Sequence, residues 1–480
     1  MHPSTLPQPK LNYRDISENV TSKSLNALNR KAQLPNDAVA SAARAYIEWK
    51  RISSDLNAKR NARAAVGERI RRSNSDEERE AAILEASTLK SEVKELETTL
   101  DKAEQQCLHF ALSIPNDTHP KVPLGPETAA VTISMHGGDL IPHDPKRDHL
   151  RISKHFRLLD FESASNVTGN SWYFLRNEAA ILELALTNYA MSIAIQHGFT
   201  PVTTPDVVRS DIALRCGFNP RENSNPPVSH MYHLSSTSPF SPELVLSGTS
   251  EVPLAGMFAN KIYSSLDFPL RFVGVGHAFR AEAGARSVDT RGLYRVHQFT
   301  KVELFAVTTG DASENMMEEM ISIQKFILEG LGLSFRFTTF VFIFSPHLIL
   351  IDHVLRVLDM PTEELGASAY RKYDIEAWMP GRGSWGEVTS LSNCTDYQAR
   401  RLHIRYRPQG GAADSSLTRL PFAHTLNGTA AAIPRLIIAL LENGTLFNEQ
   451  GNPIALCLPA VLRPFWIPIK GRDFVQWSDT

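Results

Sequence analysis

Apolar or small residues recur at Ala82, Ala86, Leu89, Val93, Leu96, Leu100, Ala103, Cys107 and Phe110, in alternating steps of four and three. That spacing keeps one stripe of a helix apolar and predicts a coiled-coil seam. A second seam runs through Val39, Ala42, Tyr46, Trp49, Ser53 and Leu56. Between them Ser73-Asn74-Ser75-Asp76 reads as a turn, and Ser75 followed by Glu78 predicts a capping box at the start of the second helix. Two seams and a turn make a long antiparallel hairpin, an arm of about 50 Å for ~35 residues at ~1.5 Å rise. After Phe110, Pro115, Pro120, Pro123 and Pro126 mark a linker, beyond which helix and strand patterns mix without regular alternation. The pattern therefore divides the chain into an N-terminal extension (1–37), an arm (38–112), a linker (113–145) and a large domain (146–480).

Composition excludes some classes and misleads about one. With 480 residues, 42% apolar, 26 Gly and 29 Pro, the chain has the make-up of a globular protein and not of a disordered or fibrous one. Its net charge of −2 argues against a surface that is basic all over. Along the chain, however, charge is segregated. Residues 50–72 hold eight basic side chains against two acidic ones, a net of +6, and residues 76–104 hold four against ten, a net of −6. Two readings stand side by side: the charges pair the two helices, or Arg60, Arg63, Arg69, Arg71 and Arg72 form a basic ridge that meets phosphates. The four cysteines are scattered, with no C-x-x-C pair, so no zinc site is expected. The most apolar run, Thr339 to Ile351, is broken by Ser345-Pro346-His347 and is too short to span a bilayer, so no membrane partner is expected. The N-terminal residues lack a secretory h-region and only hint at an organellar transit peptide.

Candidate chemistry concentrates in residues 279–303, FRAEAGARSVDTRGLYRVHQFTKVE. Arg280 and Glu282 alternate on one strand, and Arg295, Phe299, Lys301 and Glu303 on another, with a Gly-containing loop between. A cation, a flat ring and carboxylates on one face suit a phosphate, a nucleobase and an amine. The plainer account, an ordinary hairpin with a polar face, fits the same pattern. No G-x-G-x-x-G or G-x-x-x-x-G-K-[ST] is present, so nucleotide binding of the Rossmann or P-loop kind is not expected.

The same segment resembles motif 2 of class II aminoacyl-tRNA synthetases, and its wording is similar to that of seryl-tRNA synthetases. Three further blocks resemble that family in order: Gly198 to Pro205 (motif 1), Glu387 to Arg401 (EVTSLSNCTDYQARR) and His424 to Arg435 (HTLNGTAAAIPR, motif 3). Leu246 to Glu251 resembles a Thr-x-Glu strand that contacts serine, and a helical hairpin precedes the catalytic domain in that family. The resemblance implies an α+β fold with the class II antiparallel sheet and flanking helices. It implies ATP-dependent activation of L-serine, then transfer to the 3′ end of tRNA(Ser), by a homodimer using ATP and Mg2+. Arg280 and Arg435 would be catalytic, gripping the phosphates of ATP. Glu282 and Phe299 would hold the adenine, and Glu387 with Ser390 would bind ATP and ligate Mg2+. Thr249, Glu251, Glu303, Asn427 and Thr429 would contact serine. The five arginines of the arm would touch tRNA.

The alternative is a non-catalytic relative that keeps the arm as an RNA- or protein-binding module. Such relatives are expected to lose an ATP-binding Arg or Glu, whereas Arg280, Glu303, Glu387 and Arg435 are all present. The chain departs from the family pattern at residues 337–355, an apolar insertion expected as an exposed sticky loop, either a gene-model artefact or a segment packing on a dimer partner. Pro434, just ahead of Arg435, is expected to shift the start of the following helix. The motifs look organellar or bacterial in type, which points to a mitochondrial location, with a cytoplasmic one as the alternative.

Overall fold

The computed structural model describes residues 6–35, 37–73, 75–136, 140–218, 231–235, 241–281, 292–332, 355–409 and 420–478. The chain divides into two compact units, Pro9–Asp117 and a larger one made of Met1–Gln8 with Thr118–Thr480.

The smaller unit holds α1 (Tyr13–Glu18), α2 (Val20–Asn29), α3 (Ala38–Arg72) and α4 (Asp76–Leu112). Helices α3 and α4 form the expected hairpin, and none of the nine seam positions of α4 is exposed. In α3 the seam passes through buried Ile52 in place of Ser53, because an apolar neighbour one step away fills the same groove. The capping box does not form. Ser75 makes no cap bond, and the Ser73 hydroxyl donates to the Ser75 carbonyl at 3.0 Å. Asp76, Glu77 and Glu78 instead meet the positive end of α4. The extension is not an appendage: Ile16 is buried with Val39, Ala42, Ala111 and Ile114, and Lys23 lies 2.6 Å from Asp15 and 3.0 Å from Asp117.

Part of the arm's charge pairs across the hairpin. Lys59 meets Glu92 and Arg60 meets Glu97, each at 2.8 Å, and Arg69 pairs with Glu85. These pairs are about half exposed, so each adds little stability, but together they favour one register. Arg71 is taken by Glu68 of its own helix. Among the described residues Arg63 and Arg72 make no ion pair, and both are exposed.

The larger unit is built on eight strands: β1 (Val131–His136), β2 (Thr200–Thr203), β3 (Leu270–Phe279), β4 (Gln298–Thr308), β5 (Leu355–Asp359), β6 (Arg371–Met379), β7 (Ser384–Asn393) and β8 (His424–Ala432). They form one sheet in the order β1-β5-β6-β7-β8-β4-β3-β2, antiparallel throughout except for the parallel pair β2 and β3. Two sequence expectations change here. Residues 113–145 are more than a linker, since β1 is an edge strand paired with β5. Leu355 is not part of an insertion: it is buried and opens β5, while the rest of that segment, 337–354, lies outside the described residues.

Helices α5 (Glu178–Gln196), α6 (Ser313–Gly330) and α7 (Ile433–Gly444) cover one face of the sheet. Leu182 and Leu186 of α5, Met320 and Ile323 of α6, and Ile437 and Leu440 of α7 pack on Val302, Leu304 and Ala306 of β4. Helix α5 is long and apolar enough to cross a membrane, but half of it is buried in this core. The alternate residues of β4, Phe305 and Val307, pack on the other side against Val252, Phe258, Ala399 and Leu402. The sheet thus has one mostly apolar face covered by helices and one that is apolar only at one end.

One buried carboxylate ties the helical layer to the sheet. Glu442 of α7 is fully buried and accepts bonds from the backbone N–H groups of His149 (3.2 Å), Gly381 (2.8 Å) and Arg382 (3.1 Å). The His149 ring adds a fourth at 3.1 Å. Glu442→Ala strands all these donors and is expected to cost on the order of 3 kcal/mol, read from urea unfolding, with Glu442→Gln milder. A loss below about 1 kcal/mol for the alanine variant would contradict this account.

Candidate active site

The polar face of the sheet is made by strand alternation corrected by two bulges. On β4, Phe299, Lys301 and Glu303 point away from α5 to α7, with Gly276 and Gly274 of β3 directly opposite the last two. A Cβ on Gly276 would come within 2.5 Å of the Thr204 hydroxyl oxygen and 2.6 Å of that of Ser250, so only glycine admits the 247–250 turn here. On the other flank β8 skips Ala430 in its pairing with β4, which sets Thr429 opposite Glu303 and Asn427 opposite Phe305. On β7 the pairing with β6 skips Val388. Residues three apart normally face opposite ways, but this extra residue lets Glu387 and Ser390 share the polar face while Val388 and Thr389 are buried.

Thr249 and Glu251 reach this face from a turn and a short helix. The expected Thr-x-Glu strand ends at Leu246, the Ser247 hydroxyl closes a turn onto the Thr249 carbonyl at 2.6 Å, and Glu251 is the first residue of the helix Glu251–Met257. Lys301, itself buried, donates to the Thr249 hydroxyl at 3.0 Å and lies 2.6 Å from the Glu303 carboxylate. Gln398 donates to Glu251 at 2.5 Å. Burial first, then the charge of Glu303, pushes the Glu251 carboxyl up to about 7, with Lys301 opposing. Burial likewise raises Glu303, against the pull of Lys301. Asn427 and Thr429 are both buried on the adjoining strand, with the Asn427 amide 3.4 Å from the Cys394 sulfur.

Beside this pocket lies an open cleft enclosing about 330 Å³, lined by Arg280, Tyr294, Arg295, Phe299, Pro434 and Arg435 among others. The Arg280 guanidinium sits 5.4 Å above the Phe299 ring and its Nε lies 3.4 Å from the Gly248 carbonyl. Arg435 is held in the first turn of α7. Pro434 occupies the helix start, where its missing N–H costs nothing, so the helix begins at Ile433 without disruption. The Arg435 guanidinium contacts both the carboxylate and the backbone carbonyl of Glu387 at 3.1 Å and lies over the Tyr294 ring at 4.8 Å. Arg382 covers the same ring at 3.8 Å. Burial would raise the Glu387 carboxyl, but Arg435 and Lys372 outweigh it and hold it down at about 2. Behind it, the largely covered Lys372 lies 2.6 Å from the buried carboxylate of Asp374.

The structure therefore gathers Thr249, Glu251, Glu303, Asn427 and Thr429 on one stretch of the polar face and Arg280, Phe299 and Arg435 around the adjoining cleft, with Glu387 held against Arg435, while Ser390 is placed only on the same face of β7 as Glu387. Glu282 lies outside the described residues. Sequence reasoning placed Lys301 on this face without giving it a role, and passed over Tyr294 and Gln398. Lys301 could have been chosen, since it shares the alternation of Phe299 and Glu303. Gln398 carried no local signal, because only the packing of a separate helix brings it to Glu251.

Known proteins share both units. The model of the tRNA synthetase class II core domain (G, H, P, S and T) matches residues 232–444, and that of the seryl-tRNA synthetase N-terminal domain matches residues 11–118. The mitochondrial serine–tRNA ligase of Schizosaccharomyces pombe is 39% identical over 95% of this chain and 88% of its own length. The serine–tRNA ligase of Rubrobacter xylanophilus is also 39% identical, over 97% of this chain and 99% of its own. The structure of seryl-tRNA synthetase from Pyrococcus horikoshii complexed with ATP superposes with a TM-score of 0.79 at 30% identity, covering 96% of this chain and all of that one. With both of its units matched by family models and nearly its whole length matched by these relatives, the chain belongs to the seryl-tRNA synthetase family.

Proposed function

We propose that this chain is an active serine–tRNA ligase, joining the serine carboxylate to the α-phosphate of ATP and then passing the seryl group to tRNA(Ser). The observation that carries this reading is the intact pairing of a carboxylate pocket (Glu251, Glu303) with a cationic cleft (Arg280, Arg435) on one sheet face. A non-catalytic relative has no need to keep both. Such a reaction needs little covalent help: the protein must align two anions and absorb the charge that builds as they combine. Arg280 would grip the α-phosphate, Arg435 the far phosphates, and Phe299 would stack on adenine. Thr249, Glu251, Glu303, Asn427 and Thr429 would surround serine. A pocket of buried hydrogen-bonding groups rejects alanine, which would leave them unpaired.

Glu387 and Ser390 suit a Mg2+ ion, because they are oxygen donors on one face of β7 and Glu387 stays ionised far below neutral pH. When bound, the ion would withdraw charge from the ATP phosphates. Removing either cleft arginine tests the assignment. Arg280→Ala or Arg435→Ala should cut serine-dependent exchange of pyrophosphate into ATP by about a hundredfold or more, and a loss under about threefold would sink the role given to that residue.

The arm would dock tRNA through its basic tip, with Arg63 and Arg72 the side chains least committed to ion pairs among the described residues. Arg63→Ala with Arg72→Ala should raise the tRNA KM severalfold and spare pyrophosphate exchange. Substituting Arg60, Arg69 and Arg71 as well should deepen the effect. Equal losses in both reactions would mean that the arm only supports the fold.

Two further assignments rest on the relatives. A homodimer follows the family pattern, and a mitochondrial location follows the fission-yeast relative, although bacterial relatives match equally well. Sedimentation and organelle fractionation check them: a 53.4 kDa species, or a chain confined to the cytosol, would overturn the respective assignment.

A further inference from the structure

We propose that Gln398 is the positioning residue for Glu251, its carboxamide fixing the direction in which that carboxylate meets the amino acid. The inference rests on the reading of Glu251 as a serine contact. Gln398 is fully buried on the helix Tyr397–Leu402, on the side of the sheet away from α5 to α7. Its Nε2 donates to the Glu251 carboxylate at 2.5 Å and to the Cys216 carbonyl at 3.2 Å. A backbone carbonyl and an ionised carboxylate can only accept, so with Glu251 charged the amide is oriented one way alone. The other end is locked in the same sense: the Thr425 hydroxyl donates to Gln398 Oε1 at 2.7 Å.

A carboxylate on a helix start has rotamer freedom of its own, and the backbone does not specify where Glu251 aims. A buried amide with all its bonds committed does specify it, because any swing of Glu251 would strand an N–H in the interior. Gln398 is also uncharged. Glu303 already has Lys301 at 2.6 Å. A second cation at position 398 would neutralise the pocket before a ligand arrived, whereas a carboxamide orients Glu251 and leaves its charge available. Thr425, Gln398 and Glu251 thus form a chain of oriented groups running from β8 through the helix Tyr397–Leu402 to the pocket.

The role makes a pH signature. Glu251 is faced by Glu303 and Lys301 from β4, Arg280 from the end of β3 and Gln398 from its helix. The Gln398 N–H stabilises the ionised form and so pulls the carboxyl down from where burial and Glu303 would put it. Removing that N–H moves the titration upward. Because the free enzyme must present the carboxylate, kcat/KM for serine should then fall away at a higher pH than in the parent chain.

The test uses the full chain, with pyrophosphate exchange followed from about pH 6 to about pH 9. Gln398→Met should raise the serine KM about tenfold, leave the ATP KM within about twofold, and shift the acid limb of kcat/KM for serine upward. Thr425→Val, which releases the far end of the amide, should raise the serine KM severalfold, and Thr425→Ser, which restores the hydroxyl, should return it to the parent value. This pair stands in if Gln398→Met does not fold. Serine and ATP KM rising together, or a lower melting temperature with an unmoved acid limb, would overturn the proposal and make Gln398 a packing residue. So would an unchanged serine KM in Gln398→Met beside a raised one in Glu251→Gln, a result that leaves the serine site itself intact. An unchanged serine KM in Glu251→Gln would instead remove Glu251 from the site and the proposal with it.

Discussion

A sheet buried under apolar helices on one side can carry charge only on the other, and everything this protein does depends on keeping those two faces apart. Strand alternation does most of the sorting: on β4, Val302, Leu304 and Ala306 enter the helical core while Phe299, Lys301 and Glu303 line the site. Alternation alone would fail at β7, where Glu387 and Ser390 stand three apart, and would leave β8 out of step with β4. One skipped residue on each strand, Val388 and Ala430, restores the sorting, so that Glu387 joins Ser390 and Thr429 comes opposite Glu303. Each bulge turns two consecutive apolar or small side chains toward the helices and frees the next polar one for the site.

Charge on that face is balanced locally. Lys301 lies against Glu303, Arg435 against Glu387, and Lys372 against Asp374, all within about 3 Å. Buried charges without partners would titrate away, and the raised carboxyls of Glu251 and Glu303 show how strongly the surroundings press in that direction. The pair with Arg435 keeps Glu387 charged before substrates arrive, and charge fixed in advance is the condition for stabilising a transition state without rearrangement. Glu251 is the exception, since its direct partner is the neutral amide of Gln398.

The arm solves a different problem. Two helices of opposite net charge pair across their flanks, and several of the basic side chains near the tip are drawn into that pairing. The readings of structural pairing and nucleic-acid contact are therefore not rivals: the same ridge divides into residues that hold the hairpin and residues left facing solvent.

Periodicity by itself determined the hairpin. The seam of α4 is local, repeating along one helix, and such patterns survive without knowledge of what packs on them. The motif strings likewise singled out the candidate site residues. Their placement was not legible. Ser75 looked like a cap, yet the turn closed through Ser73. Thr249 and Glu251 looked like a strand, yet the chain turns after Leu246 into a helix. The proline-rich stretch looked like a linker, yet Val131–His136 found a partner strand more than two hundred residues away. Gln398 carried no signal of its own, yet packing brings it to Glu251. For β1 and Gln398 the deciding contact comes from a distant part of the chain, and register, bulges and buried hydrogen bonds exist only once the sheet has closed. Sequence thus set the local periods and the chemical inventory, while tertiary packing decided which groups meet, because burial requires each polar group to find a partner wherever the fold supplies one.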